Sequence, residues 1–144
     1  MKNEKGFTLI ELLAVIVILA VIALIAVPQI LNILNKSRIS AAEDTTYGIV
    51  KAGESYVTSF MLTNNGDMPS EDLEFSCSKE NGCTLTTTLT GYDTTNLTSL
   101  DFKGTKPTEG TVTISDNGKK VSATNLVING FTCNYEDGKA RVVL

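Results

Sequence analysis

The chain has 144 residues, three cysteines, no histidine and a formal net charge of −4. Without histidine, Ser-His-Asp and Cys-His catalytic arrangements and histidine metal sites are excluded, and nothing resembles a Walker loop or a paired CxxC. The acidic balance argues against a nucleic-acid surface, which would carry a basic stripe, so no enzyme, cofactor or metal is expected.

The first element is an apolar run from Phe7 to Val27, preceded by Lys5-Gly6 and interrupted by one acid, Glu11. Leu12 to Val27 hold twelve Leu, Ile and Val residues. At roughly −0.3 to −0.6 kcal/mol each these outweigh a buried acid, which costs about 2.5 to 3.5 kcal/mol at a helix centre. The segment therefore inserts into a membrane despite Glu11, and the acid needs a reason other than insertion. A secretory signal has a shorter apolar region ending at a small-residue site. Here Gly6 precedes the run, so the apolar segment is expected to remain in the mature protein.

The string Lys5-Gly6-Phe7-Thr8-Leu9-Ile10-Glu11-Leu12-Leu13 resembles the class III signal of type IV prepilins and pseudopilins. The resemblance implies that a membrane-embedded prepilin peptidase removes Met1–Gly6. It also implies that the new amine of Phe7 is methylated, and that Glu11 pairs with the Phe7 amine of a neighbouring subunit during assembly. Pro28 matches a proline often found at that point of the family's helix. Elementary electrostatics agrees. Glu11 lies one helical turn from Phe7, and opposite charges attract far more strongly in low dielectric than in water. The plain alternative is a snorkelling acid near the end of an ordinary anchor. Lys2 and Lys5 precede the span while Lys36 and Arg38 follow it, so the charge asymmetry is weak. The cytoplasmic side of the N-terminus is assigned mainly by the resemblance.

The helix is expected to continue beyond Val27. Pro28 removes its own N–H and frees the carbonyl of Leu24, which predicts a kink there. Ile30, Leu31, Ile33 and Leu34 restore the apolar run. Ala42, Ile49, Gly53, Tyr56 and Phe60 then fall on one helical stripe, widened by Val50 and Val57. The bland reading of that stripe, a core-facing surface, is accepted. Gly48 and Gly53 are read as points of close approach. Thr63-Asn64-Asn65-Gly66-Asp67 ends the pattern with turn chemistry. A helix from Thr8 to Leu62 would be roughly 80 Å long at about 1.5 Å per residue.

From Leu73 the period changes to two. Leu73, Phe75 and Cys77 alternate, as do Cys83, Leu85 and Leu89. Thr84 to Thr98 reads as strand plus loop, and Lys103 to Gly110, with Pro107, as loop. Val112 and Ile114 precede the turn signal Asp116-Asn117-Gly118. Val121 and Ala123 lie on odd positions but Leu126 and Ile128 on even ones, which predicts a bulge near Thr124-Asn125. Asn129-Gly130 and Glu136-Asp137-Gly138 supply two further turns. Gly110 to Leu144 thus reads as an antiparallel meander. The final eighty residues would make a marginal core alone, so the sheet is expected to pack on the helix.

Cys77 and Cys83 flank Ser78-Lys79-Glu80-Asn81-Gly82, read as a five-residue hairpin loop, and opposed strand residues there are close enough for a disulfide. Cys77–Cys133 is the rival pairing. Cys133 shares a face with Phe131 and Tyr135, and its plain reading is a buried free thiol. Asn96-Leu97-Thr98 is a formal glycosylation sequon but is taken as ordinary loop. In the resembled family some secretion pseudopilins bind calcium near the C-terminus. Here Glu136 and Asp137 lack a convincing set of oxygen ligands, and no calcium is expected.

The expected fold is α+β, a long N-terminal helix packed on a small antiparallel sheet. The divisions are a leader 1–6, a membrane or filament-core helix 7–28, an amphipathic continuation 29–62 and a β domain 63–144. The resemblance implies a structural subunit of a type IV pilus or pseudopilus filament, held in the membrane lipid and then extracted by an assembly platform and its ATPase to the cell surface. The alternative is a non-polymerising single-pass membrane protein with a small extracellular binding module, which leaves Glu11 and the Gly6-Phe7 junction unexplained.

Overall fold

The computed structural model describes residues 4–144; Met1 to Asn3 of the expected leader, including Lys2, lie outside the described residues. One α-helix and six strands follow in order: α1 Leu9–Thr63, β1 Leu73–Ser78, β2 Gly82–Leu85, β3 Glu109–Ser115, β4 Lys120–Ile128, β5 Phe131–Glu136 and β6 Lys139–Val143. The strands form one antiparallel sheet in the order β2-β1-β3-β4-β5-β6. The chain divides into two compact units, Met1–Ser37 and Arg38–Leu144.

In the first unit α1 is apolar on every side. Its large side chains from Leu9 to Leu34 are exposed, Leu12 at 60% and Ile16 at 53%. This helix is long and apolar enough to cross a membrane. Pro28 lies inside α1. The helix runs unbroken on both sides of it, and the flanking apolar residues favour continued helix.

The second unit holds the core. Ala42, Thr46, Ile49, Val50, Ala52, Gly53, Tyr56, Val57 and Phe60 of α1 are buried. They pack with Leu73, Phe75, Val112, Ile114, Leu126 and Ile128 of the sheet. The sequence stripe contains every one of these helix positions except Thr46 and Ala52. Thr46 is tolerated inside because its hydroxyl donates to the Ala42 carbonyl at 2.9 Å, a back-bond that satisfies a buried polar group at little cost. Gly53 sits against the sheet: a Cβ there would stand 3.0 Å from Val121 Cγ1. Gly48 does not share this role, since a Cβ there would meet nothing within 4 Å.

Turn chemistry sets the sheet register. Ile128 opposes Phe131 across Asn129-Gly130, with φ of 52° and 84°, and Glu136 opposes Lys139 across Asp137-Gly138, with φ of 51° and 81°. Two positive φ values in a two-residue loop are the twist-matched hairpin turn. The β4–β5 register shifts between Ala123 and Leu126. There Asn125 adopts φ 52° and its N–H donates to Asn134 Oδ1 at 2.7 Å. The bulge turns the odd-numbered apolar set into the even-numbered one, so both stay buried. A second irregularity falls between Glu109 and Thr111. Gly110 has φ 126° there, and a Cβ would meet Leu126 Cα at 2.7 Å.

The β1–β2 hairpin is tighter than the sequence suggested. Ser78 pairs with Gly82, so the loop is only residues 79–81 instead of five residues. Gly82 can close it because it adopts φ 70°. Cys77 directly opposes Cys83, and the two are joined by a disulfide. The rival Cys77–Cys133 pairing is thereby excluded, and Cys133 is a buried free thiol whose pKa is pushed up by burial.

Segment 86–108 has no named strand, yet it is tied down. The Tyr56 hydroxyl donates to the Leu97 carbonyl at 2.8 Å. Asn64 donates to the Asp93 carbonyl at 3.2 Å and accepts from the Asp93 N–H at 2.7 Å. The Leu85 N–H donates to the Thr98 carbonyl and the Leu100 N–H to the Cys83 carbonyl, which covers the outer edge of β2 against stray strand pairing. At the opposite edge the Ala140 N–H of β6 donates to the Tyr47 hydroxyl at 3.1 Å.

Candidate processing and assembly segment

Residues 4–8 are non-helical and exposed, and α1 starts at Leu9. Phe7 is 94% exposed. The start of the helix is fixed by two reciprocal hydrogen bonds. The Thr8 N–H donates to Glu11 Oε2 at 2.9 Å, and the Glu11 N–H donates to Thr8 Oγ1 at 3.3 Å. This is a capping box, in which the N-cap hydroxyl and the N3 acid each satisfy an orphan backbone donor. The first α-helical bond runs from the Leu12 N–H to the Thr8 carbonyl at 3.2 Å.

One turn of chain thus brings the predicted residues together. Lys5, Gly6, Phe7 and Glu11 line one shallow surface concavity. The carboxylate sits at the positive end of the helix dipole, where negative charge is stabilised. Pro28 stands far along the same helix, and the Cys77–Cys83 disulfide belongs to the second unit.

Thr8 was not singled out from the sequence. Its signal was present, because Thr8-Leu9-Ile10-Glu11 fits the S/T-x-x-E pattern before an apolar run. The backbone role of Glu11 is written in the same four residues as its charge. Asn64 was read only as turn chemistry, whereas it also clamps segment 86–108; its side chain also donates to the Phe60 carbonyl at 3.0 Å. No group of three or more His, Cys, Asp or Glu arranged to hold a metal occurs among the described residues.

No curated protein and no solved structure matches this chain. Residues 1–27 match the family model described as the prokaryotic N-terminal methylation motif, and the N-terminal segment is therefore the class III signal of type IV pilins.

Proposed function

We propose that the chain is the precursor of a filament subunit of the type IV pilus or pseudopilus kind, cut between Gly6 and Phe7, methylated on Phe7 and polymerised through its N-terminal helix. The observation that carries this reading is the methylation motif over residues 1–27, which runs into the start of a long helix whose apolar side chains are exposed there. A motif of this kind points to a structural protein and to a membrane-anchored precursor.

Prepilin peptidase would remove Met1–Gly6 and leave an amine on Phe7. Within the bilayer Glu11 is costly as a free anion. Its Oε2 already accepts from the Thr8 N–H, and the carboxylate keeps further acceptor capacity for an ammonium. A neighbouring subunit's Phe7 amine supplies that donor, so each subunit leaving the lipid offsets its buried acid by docking on the next. The assembly platform and its ATPase supply the work of extraction. Pro28 provides a bend in the helix, and the β domain coats the filament at the cell surface.

The test is the mature N-terminus. Mass spectrometry of the protein from its own cell should find Met1–Gly6 gone and a methylated Phe7. Replacing Gly6 with a bulky residue should leave full-length precursor in the membrane. Normal removal of Met1–Gly6 from that variant would contradict the reading.

A further inference from the structure

Resting on the processing proposed above, we infer that Thr8 is a positioning residue for the cut, because its cap holds the Gly6 carbonyl outside the helix. Hydrolysis requires that carbonyl to be reachable. The oxygen of water bonds to the Gly6 carbonyl carbon, the Gly6–Phe7 C–N bond breaks, Met1–Gly6 leaves as a carboxylate, and the Phe7 nitrogen takes both water protons and leaves as an ammonium.

The competing state can be written down from the helix rule. Wound two residues further back, α1 would direct the Ile10 N–H to the Gly6 carbonyl and the Glu11 N–H to the Phe7 carbonyl, each four residues earlier. Both flanks of the scissile bond would then be locked in helical hydrogen bonds. In a bilayer that winding is favoured, since unsatisfied N–H groups are expensive there. The cap removes that incentive at the Glu11 N–H. Thr8 Oγ1 takes the Glu11 N–H, Glu11 Oε2 takes the Thr8 N–H, and an N-cap residue keeps a non-helical backbone that turns the preceding chain off the helix axis. Residues 4–8 accordingly carry no helix, and both Gly6 and Phe7 are exposed. The same device leaves the peptidase a non-helical, exposed segment at the one bond it must open.

The test uses the full precursor with its own peptidase in native membranes, following the initial rate of cleavage by pulse labelling. Thr8→Val keeps the shape and removes the acceptor. Its initial rate should fall roughly fivefold, the factor that follows from about 1 kcal/mol of lost cap. Thr8→Ser and Thr8→Asn both keep capping chemistry and should be cut at the wild-type rate. All three should remain in the membrane on alkaline extraction, and loss of Thr8→Val from the membrane would overturn the inference, because its defect would then be insertion. Wild-type cleavage of Thr8→Val would also overturn it. So would an Asn variant as slow as the Val variant, which would mean the peptidase reads the hydroxyl itself. A wild-type precursor left uncut after Gly6 would remove the processing reading and this inference together, whereas an unslowed Val variant beside a normally cut wild type removes only the inference.

Discussion

The two halves of α1 use the same backbone for opposite purposes. In the first unit Ile16 and Leu24 are 53% and 78% exposed, and in the second Ile49 and Phe60 are 0% exposed. Burial of apolar area at roughly 25 cal/mol per Å² therefore holds the second unit together. In the first unit that same area is left exposed. Polar satisfaction divides in the same way. The first unit places Glu11 in a helix cap, while the second places Asn64, Tyr56 and Thr46 on backbone carbonyls at 2.8 to 3.2 Å. A helix that folds a domain needs one apolar face; a helix that waits for partners is apolar all round.

The sharpest way to break this comparison is to delete one large side chain from each half. Phe60→Ala removes a fully buried ring that packs on Tyr92 at 5.1 Å between centroids. It should cost about 3 to 5 kcal/mol, read as a large drop in the thermal midpoint of the detergent-solubilised chain. Ile16→Ala should leave that midpoint unchanged. Equal losses would mean that the first unit also contributes to the folded core.

Next in size is the Cys77–Cys83 bridge. It closes a short loop, so reduction should cost only about 2 kcal/mol. The midpoint should fall without loss of the sheet, and non-reducing peptide mapping should recover Cys133 as a free thiol. Recovery of Cys133 in a disulfide would contradict the arrangement.

Much of this was legible in the sequence because local chemistry and global fold agree. The stripe from Ala42 to Phe60, the three turn signals and the odd-to-even slip between Ala123 and Leu126 each state their structure in residue order. The misses share a cause. Gly48 looked like Gly53, and only the position of Val121 across the sheet tells them apart. The loop at 79–81 tightened because Gly82 could adopt positive φ and extend the pairing. The ordering of segment 86–108 depends on Tyr56 and Asn64, whose partners lie 41 and 29 residues away. No local pattern announces such contacts.

The smallest expected effect concerns Tyr56. Burial pushes its pKa from 10.0 to about 12, so the folded state holds the proton more tightly than the unfolded chain. That contribution is fully present below about pH 10 and is lost as pH rises toward 12. Tyr56→Phe removes the hydrogen bond to Leu97 and should cost about 1 kcal/mol at neutral pH. It should also flatten the loss of stability between pH 10 and 12, measured by urea unfolding. An unchanged alkaline slope would show that Tyr56 titrates alike in both states.

The central claim is that Glu11 serves assembly as well as capping, and Glu11→Gln separates the two. Gln still fits a capping box, and it inserts into lipid without the cost of a charge. The variant, as the only copy in the cell, should be cut after Gly6 and accumulate in the membrane, yet be scarce in sheared surface filaments. Filaments at wild-type yield from Glu11→Gln would contradict the account.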